Sequence, residues 1–312
     1  AYSSQLAAIG YTSNPAFNYG SSLFPELSYS PLATPMLYSW DPVEMASGAY
    51  VLDKNDLVVG SGTAPFGLSF SRQYHTGRRY DNSPGLGYGW NFNGNVRIVE
   101  RSAPDALMGA ANSYQMAPFI AAVVAAKDLH TNHTNAKEWA TCALVVQWAL
   151  ERMRYTAVAV NLGNRTVQFI KMPDGSYIAP PGLKMSLTKA GSIYTLTERH
   201  GNKLVFDNQF RLATIQNPSG ATQTYAYNAA GKLTTITDSF GRVLTFTWSG
   251  NQIANVTDGT GRSVSMGYTD GDLTSFTDPE GKIHTYQYDA EHRMTSLKDP
   301  QNRTLAENEY DV

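Results

Sequence analysis

The chain has a single cysteine, Cys142, in 312 residues, so no intrachain disulfide can form and stability must come from packing. Charge is scarce as well: 16% of residues are Asp, Glu, Lys or Arg, and the formal net charge is −2. That balance gives no electrostatic case for nucleic acid or for an anionic membrane surface. No apolar run reaches the length of a membrane span. The first residues lack a basic stretch leading into an apolar core, and the small Ala1 would suit a mature end left by signal cleavage. The sequence has no Gly-x-Ser-x-Gly elbow, HExxH pair or Walker loop. No catalytic, cofactor-binding or metal-binding residue is therefore nominated; the expectation is a non-enzyme without a cofactor. What the chain does have is 26 glycines and 19 tyrosines.

The glycines are ordered. Gly201, Gly220, Gly241, Gly261 and Gly281 recur about every 20 residues, and Asn302 continues the series. Each interval holds two runs of alternating apolar and polar residues, such as Tyr225 and Tyr227 with Leu233 and Ile236, or Tyr286 and Tyr288 with Met294 and Leu297. Aromatic and β-branched residues at period two fit a half-buried pleated surface. The runs are separated by polar turns: Asn228–Gly231, Ser249–Asn251 and Asp270–Gly271 inside units, Asn217-Pro218-Ser219-Gly220 and Asp278-Pro279-Glu280-Gly281 between them. Each unit is predicted to be a β-hairpin. One hairpin cannot stand alone in water. The units must therefore stack into a long, twisted antiparallel sheet, with aromatics on one face and Lys, Arg, Thr and Asp on the other. Asn302 opens a sixth unit that stops at Val312. An edge left there would be completed by further repeats or by another chain.

This pattern resembles the YD repeats of the Rhs family, related to toxin-complex shell proteins and to teneurins. The closest stretches are AYNAAGKLTTITDSFGR (226–242) and YQYDAEHRMTSLKDPQNR (286–303). Asp41–Gly48, FGLSFSRQYHTGRRY (66–80) and GLGYGWNF (85–92) resemble the module preceding such arrays. MPDGSYIAPPG (172–182) and YTLTERHGNKLVFD (194–207) resemble the entry into them. The resemblance implies a mainly β fold: an antiparallel β-hairpin spiral behind an N-terminal β leader module, in bacterial proteins that are secreted or at the cell surface. In the family an Asp-Pro-x-Gly near the array's end belongs to a self-cleavage site. The sequence at 278–281 lacks the flanking Leu and second Asp-Pro stretch, so it is read as an ordinary turn.

Two segments fall outside the repeats. Residues 1–40 are rich in aromatics, with Pro15, Pro25, Pro31 and Pro35 excluding long helices; an extended arm lying on an apolar surface is expected. Residues 103–157 break the β pattern. Pro118–Leu129 reads as one helix. Asn135 and Glu138 resemble a capping box ahead of a second helix carrying Trp139, Cys142, Ala143, Val146, Ala149, Leu150 and Met153 at helical spacing. Leu144, Val145 and Trp148 fall off that stripe, so this helix wants burial on two sides; a plug at one end of the spiral is expected, with a docking surface as the alternative. The organisation expected is an arm (1–40), a leader (41–102), a helical insertion (103–157), return strands (158–200) and the repeats (201–312).

Individual polar residues point to structure. His130 and His133 are expected in an interhelical loop, Cys142 in a core, and His200, His284 and His292 toward solvent. Asp238, Asp258, Asp278 and Asp299 recur at one place in successive units, which argues for capping a turn and against acid–base work. Asn132, Asn164, Asn255 and Asn302 open N-x-Ser/Thr triplets of the kind that arise by chance. Three functions remain open: a structural or interaction protein of a surface assembly or filament, with a protein partner or itself; the front of a shell enclosing a C-terminal toxin; and a carbohydrate-binding β module.

Overall fold

A computed structural model describes residues 43–44, 48–60, 67–82, 85–101, 157–163, 165–172 and 174–310, with 121–128, 131, 135–138, 140, 141, 143, 144 and 147 of the insertion. The expected arm and the expectations for Cys142, His130, His133, Asn132 and Asn164 lie outside these residues. The fold is mainly β. Thirteen antiparallel strands, β9 (Ser186–Ala190) to β21 (Thr304–Glu307), pair strictly in sequence order, each with the next. The ladder thus begins ahead of Gly201, the first repeat glycine.

Within each unit the alternation sets the faces. In β13 (Thr222–Tyr227) Gln223 and Tyr225 are buried while Thr224 and Ala226 are exposed. Tyr225 stands opposite Ile236, and Tyr227 opposite Leu233, of β14 (Leu233–Asp238). Each of the five repeat hairpins carries a β-bulge at one place. The register shifts just before Phe206, Tyr227, Trp248, Tyr268 and Tyr288, leaving Ala213, Thr234, Ala254, Thr274 and Thr295 as the extra residues. A bulge bends its strand and sharpens the twist, so repetition at one position curls the ribbon in one sense. The ordered glycines are the left-handed corners between units: Gly220, Gly241, Gly261 and Gly281 have φ of +89°, +77°, +92° and +78°, and Asn302 takes +61° at the same place.

The leader and the return strands form two further sheets. One is β1 (Val43–Glu44), β2 (Ala49–Val59), β3 (Leu68–His75) and β4 (Trp90–Phe92); the other is β5 (Val96–Arg101), β6 (Ala157–Leu162), β7 (Thr166–Lys171) and β8 (Tyr177–Ile178). Residues 102–156 therefore connect two paired neighbours, β5 and β6. Both sheets lie against the inward face of the ribbon, and a single cluster of buried side chains runs from Tyr50 in β2 to Leu297 in β20 (Met294–Lys298). Phe70 and Phe92 meet Phe246 of the third unit at 6.0 and 5.9 Å between ring centres. The ribbon's aromatics are thus covered by the leader as well as by one another. Of the insertion, 121–128 is helical, and Ala126 is buried. Leu144 is 70% exposed, so burial on two sides does not extend to that residue.

Backbone approach at the seam is close. Gly87 has φ +84°, and a Cβ there would sit 2.7 Å from the Gly271 carbonyl oxygen and 2.8 Å from the Leu273 nitrogen. Gly87→Ala is expected to push the 85–89 loop off the fourth hairpin and destabilise the fold by about 1–3 kcal/mol. An unchanged denaturation midpoint would show that the loop docks differently.

Candidate functional site: the seam between leader and repeats

The aromatics that follow four of the five bulges reach the preceding unit, and Tyr310, beyond β21, does the same. Tyr227 Oη donates to the Leu212 carbonyl (2.9 Å), Trp248 Nε1 to Leu233 (2.7 Å), Tyr268 Oη to Ile253 (2.7 Å), Tyr288 Oη to Leu273 (2.9 Å) and Tyr310 Oη to Met294 (2.7 Å). One hydrogen bond per junction stitches consecutive hairpins, while the ring body fills the core. Burial pushes the phenols of Tyr227, Tyr268 and Tyr288 up, which keeps them as donors.

The repeated carboxylates cap turns, as their placement suggests. Oδ1 of Asp238, Asp258, Asp278 and Asp299 accepts from the backbone N–H two and four residues on, at 2.8–3.0 Å. In three of them Oδ2 pairs with the Arg four residues on: Arg242, Arg262 and Arg303. Asp238 and Asp258 are buried in this role and do not stand on the outer face. The Asp278-Pro279-Glu280-Gly281 turn has the same bonds as its neighbours.

Two of the three histidines expected toward solvent are only partly so: His200 is exposed, while His284 and His292 are half-buried. His292 is the one that the leader touches. It occupies the left-handed corner of the fifth hairpin (φ +61°), stacks on Tyr88 of the leader at 3.8 Å, and its Nδ1 lies 3.0 Å from Asp272 Oδ2. The leader loop supplies the ring that covers it, and a reading within the repeat has no access to that loop. Burial raises the Asp272 carboxyl even though His292 draws it down.

Arg72 sits at the centre of the seam. The β2 bulge leaves Asp56 as the extra residue and turns its carboxylate onto Arg72. Nη2 lies 3.1 Å from Asp56 Oδ1 and 3.3 Å from Tyr286 Oη; the guanidinium stands 3.8 Å from the Phe276 ring centre and 4.8 Å from that of Trp90. Sequence reading passed over Arg72. The available signal was its parity: Phe70, Arg72 and Tyr74 share one face of a period-two strand.

Acid should weaken the assembly. His75 is buried and its Nδ1 accepts from Gly77 N–H (2.9 Å), so the folded chain holds it neutral; burial first, then Arg78, lowers its pKa to about 3. The carboxyls of Asp207, Asp258 and Asp289 are also lowered: burial opposes ionisation, but hydrogen bonds from the turns and their arginines outweigh it. All these groups bind protons more readily when unfolded. Their contributions are complete above the unfolded pKa values, near 6.5 for His and 3.9 for Asp. They are lost as pH falls toward the folded ones. Between pH 6.5 and 4, His75 should give a slope of about 1.4 kcal/mol per pH unit. Urea denaturation of His75→Gln should show a flatter limb in that window; an equal slope would refute the assignment.

A cleft of about 720 Å³ opens where the seam meets the hairpin turns of the first three units. Its leader wall is drawn from Asn82 to Ile98, and its ribbon wall from the turns at 209–211, 230–233 and 248–252. β5 is tied to the first turn by Ile98 N–H donating to the Phe210 carbonyl (2.8 Å). Arg211 stands 4.4 Å over Tyr227, and Lys232 stands 5.6 Å from the Trp248 ring and donates to the Gly250 carbonyl. With Arg97 these give the cleft three cations, and no Asp or Glu appears among its described lining residues.

The architecture defines a class: repeat proteins in which hairpins stack into one β-ribbon behind a β leader. Residues 207–243, 227–263 and 268–304 match the RHS Repeat family, and 40–114 match a Domain of unknown function (DUF6531). The chain belongs to the Rhs/YD-repeat family. No curated protein matches it. Solved structures that resemble it include a porin-like protein from Bacteroides uniformis, at 13% identity and TM-score 0.28, over 45% of this chain and 81% of that one. The Photorhabdus luminescens Tc holotoxin pore carrying TccC3-D651A is similar at 14% identity and TM-score 0.30, over 51% of this chain and 10% of that one. TcdB2-TccC3 without its hypervariable C-terminal region is similar at 9% identity and TM-score 0.31, over 89% and 14%. Against those toxin-complex chains, this chain spans only a small part of the length.

Proposed function

We propose that the chain is a non-enzymatic interaction protein that works outside a bacterial cell, secreted or at its surface, with the repeat ribbon as the scaffold of an assembly. The observation that carries this reading is the single core shared by leader and ladder. It holds thirteen strands in one body and leaves the ribbon's outer face as a broad surface of fixed shape. That face is mostly Thr, Ser and charged residues, interrupted by Ile283 and Leu305, 51% and 55% exposed. Low charge and the absence of a disulfide framework fit association through shape and scattered apolar contacts. No helix among the described residues is long and apolar enough to cross a membrane. Light scattering over a range of concentrations, with electron microscopy of the same samples, is the test. Growth of a defined oligomer or filament, or retention of a protein partner on the intact ribbon, is the expected result. A strictly monomeric particle at high concentration that binds no partner would remove this reading.

A further inference from the structure

We propose that His292, held between Tyr88 and Asp272, is a pH-sensitive latch: the loop at 85–89 docks more tightly on the ribbon when the imidazole takes up a proton. Left-handed corners favour glycine. Gly231 holds this place in the second unit with φ +77°, whereas His292 adopts φ +61° there in the fifth. What the histidine gains over glycine is contact. Its ring lies 22° from parallel to Tyr88 at 3.8 Å between centres, and Nδ1 stands 3.1 and 3.0 Å from the two carboxylate oxygens of Asp272. One ring thereby joins three segments: the leader loop, the fourth hairpin and the fifth.

Few bonds dock the loop around that ring. Tyr88 N–H donates to the Gly271 carbonyl (3.2 Å), and the Gly85 carbonyl accepts from Ile253 N–H (2.8 Å) and from Tyr268 Oη (3.4 Å). Tyr74 Oη donates to the His292 carbonyl (2.9 Å), which fixes the corner itself to β3. The loop also gives Gly87 to the wall of the cleft, so its docking sets that wall.

Carboxylates dominate the surroundings of the imidazole. Its own hairpin carries Asp289, Glu291 and Arg293; the fourth carries Asp270 and Asp272; the leader brings Arg79 and the phenols of Tyr74 and Tyr88. Arg293 pairs with Asp289 (2.6 Å), and Arg79 stands 3.8 Å from Glu291. Asp272 is left to the imidazole. The neutral ring donates one hydrogen bond to that carboxylate. The imidazolium makes the bond an ion pair and lays a cation on the Tyr88 face, and both contacts strengthen. The His292 side chain is 25% exposed, so a proton reaches it without unfolding. Between pH 8 and 5.5 imidazole is the side chain whose ordinary titration range is crossed.

The test is hydrogen exchange of the whole chain at pH 8 and pH 5.5, each rate divided by the intrinsic rate at that pH. The Tyr88 amide, bonded across the seam, is the reporter. Its protection should rise roughly fivefold toward pH 5.5, the size of one half-exposed charge pair with one ring contact. Global stability moves the other way in this window, because His75 gains a proton on unfolding; a rise therefore reports the loop. His292→Gly, the residue that the second unit carries at this corner, should abolish it. Tyr88→Leu, read through the Ile253 amide that donates to Gly85, should also abolish it and decides the matter if His292→Gly fails to fold. Protection that stays level or falls toward pH 5.5 in the wild type, or an undiminished rise in either variant, would overturn the proposal.

Discussion

Arg72→Ala should unfold the seam. The substitution leaves the Asp56 carboxylate, whose side chain is 5% exposed, without its cation in a setting that water does not reach. It also empties the space between Phe276, Trp90 and Tyr286. Breaking a buried pair from one side costs about 3–5 kcal/mol, a large part of the stability of an ordinary domain. The control separates charge from shape. In Arg72→Met with Asp56→Leu both charges go and apolar volume remains, a change that is often neutral or better. Denaturant midpoints should therefore rank wild type and the double variant together, well above Arg72→Ala. If the double variant falls as far as the single one, the pair is needed for its geometry, and the desolvation account fails.

Trp90→Ala should be felt across the whole chain. The indole is 1% exposed and packs against Tyr74 and Tyr286, at 5.5 and 5.3 Å between ring centres. Its Nε1 donates to Tyr288 Oη at 2.8 Å, the same hydroxyl that clamps the fifth hairpin to the fourth. Truncating a buried aromatic costs about 3–5 kcal/mol. Because leader and ribbon share one core, the loss should appear as a single shifted transition. Amides of the fourth and fifth units, some two hundred residues away in sequence, should lose exchange protection with those of β3 and β4. Exchange confined to the leader would mean that the ribbon is stable by itself.

The hairpins were readable because everything that makes them is local. The alternation of Tyr225, Tyr227, Leu233 and Ile236 selects strands and faces, and the glycine or asparagine at each corner supplies a left-handed φ. Asp258 and its counterparts announced themselves as caps by recurring at one turn position. His292, expected toward solvent, is half-buried for the opposite reason. Phe210 and Gly231 hold its place in the first two units, and what stacks on it is Tyr88, which belongs to another part of the chain. Arg72, the recurrent bulge and the clamps from Tyr227, Trp248, Tyr268 and Tyr288 are also relations between segments. The cleft is the extreme case: its walls come from residues near 90 and near 210–250, and no spacing within either segment describes their meeting.

The amino-acid order alone determined that this chain makes stacked hairpins of about 20 residues and which side chains of each turn inward, since both follow from periodicity and turn chemistry within one unit. Tertiary structure decided what lies against that inward face. An amphipathic ribbon requires a cover but does not specify it. The leader becomes that cover only because Asp56 and Arg72, Trp90 and Tyr288, and Tyr88 and His292 find one another across long stretches of sequence.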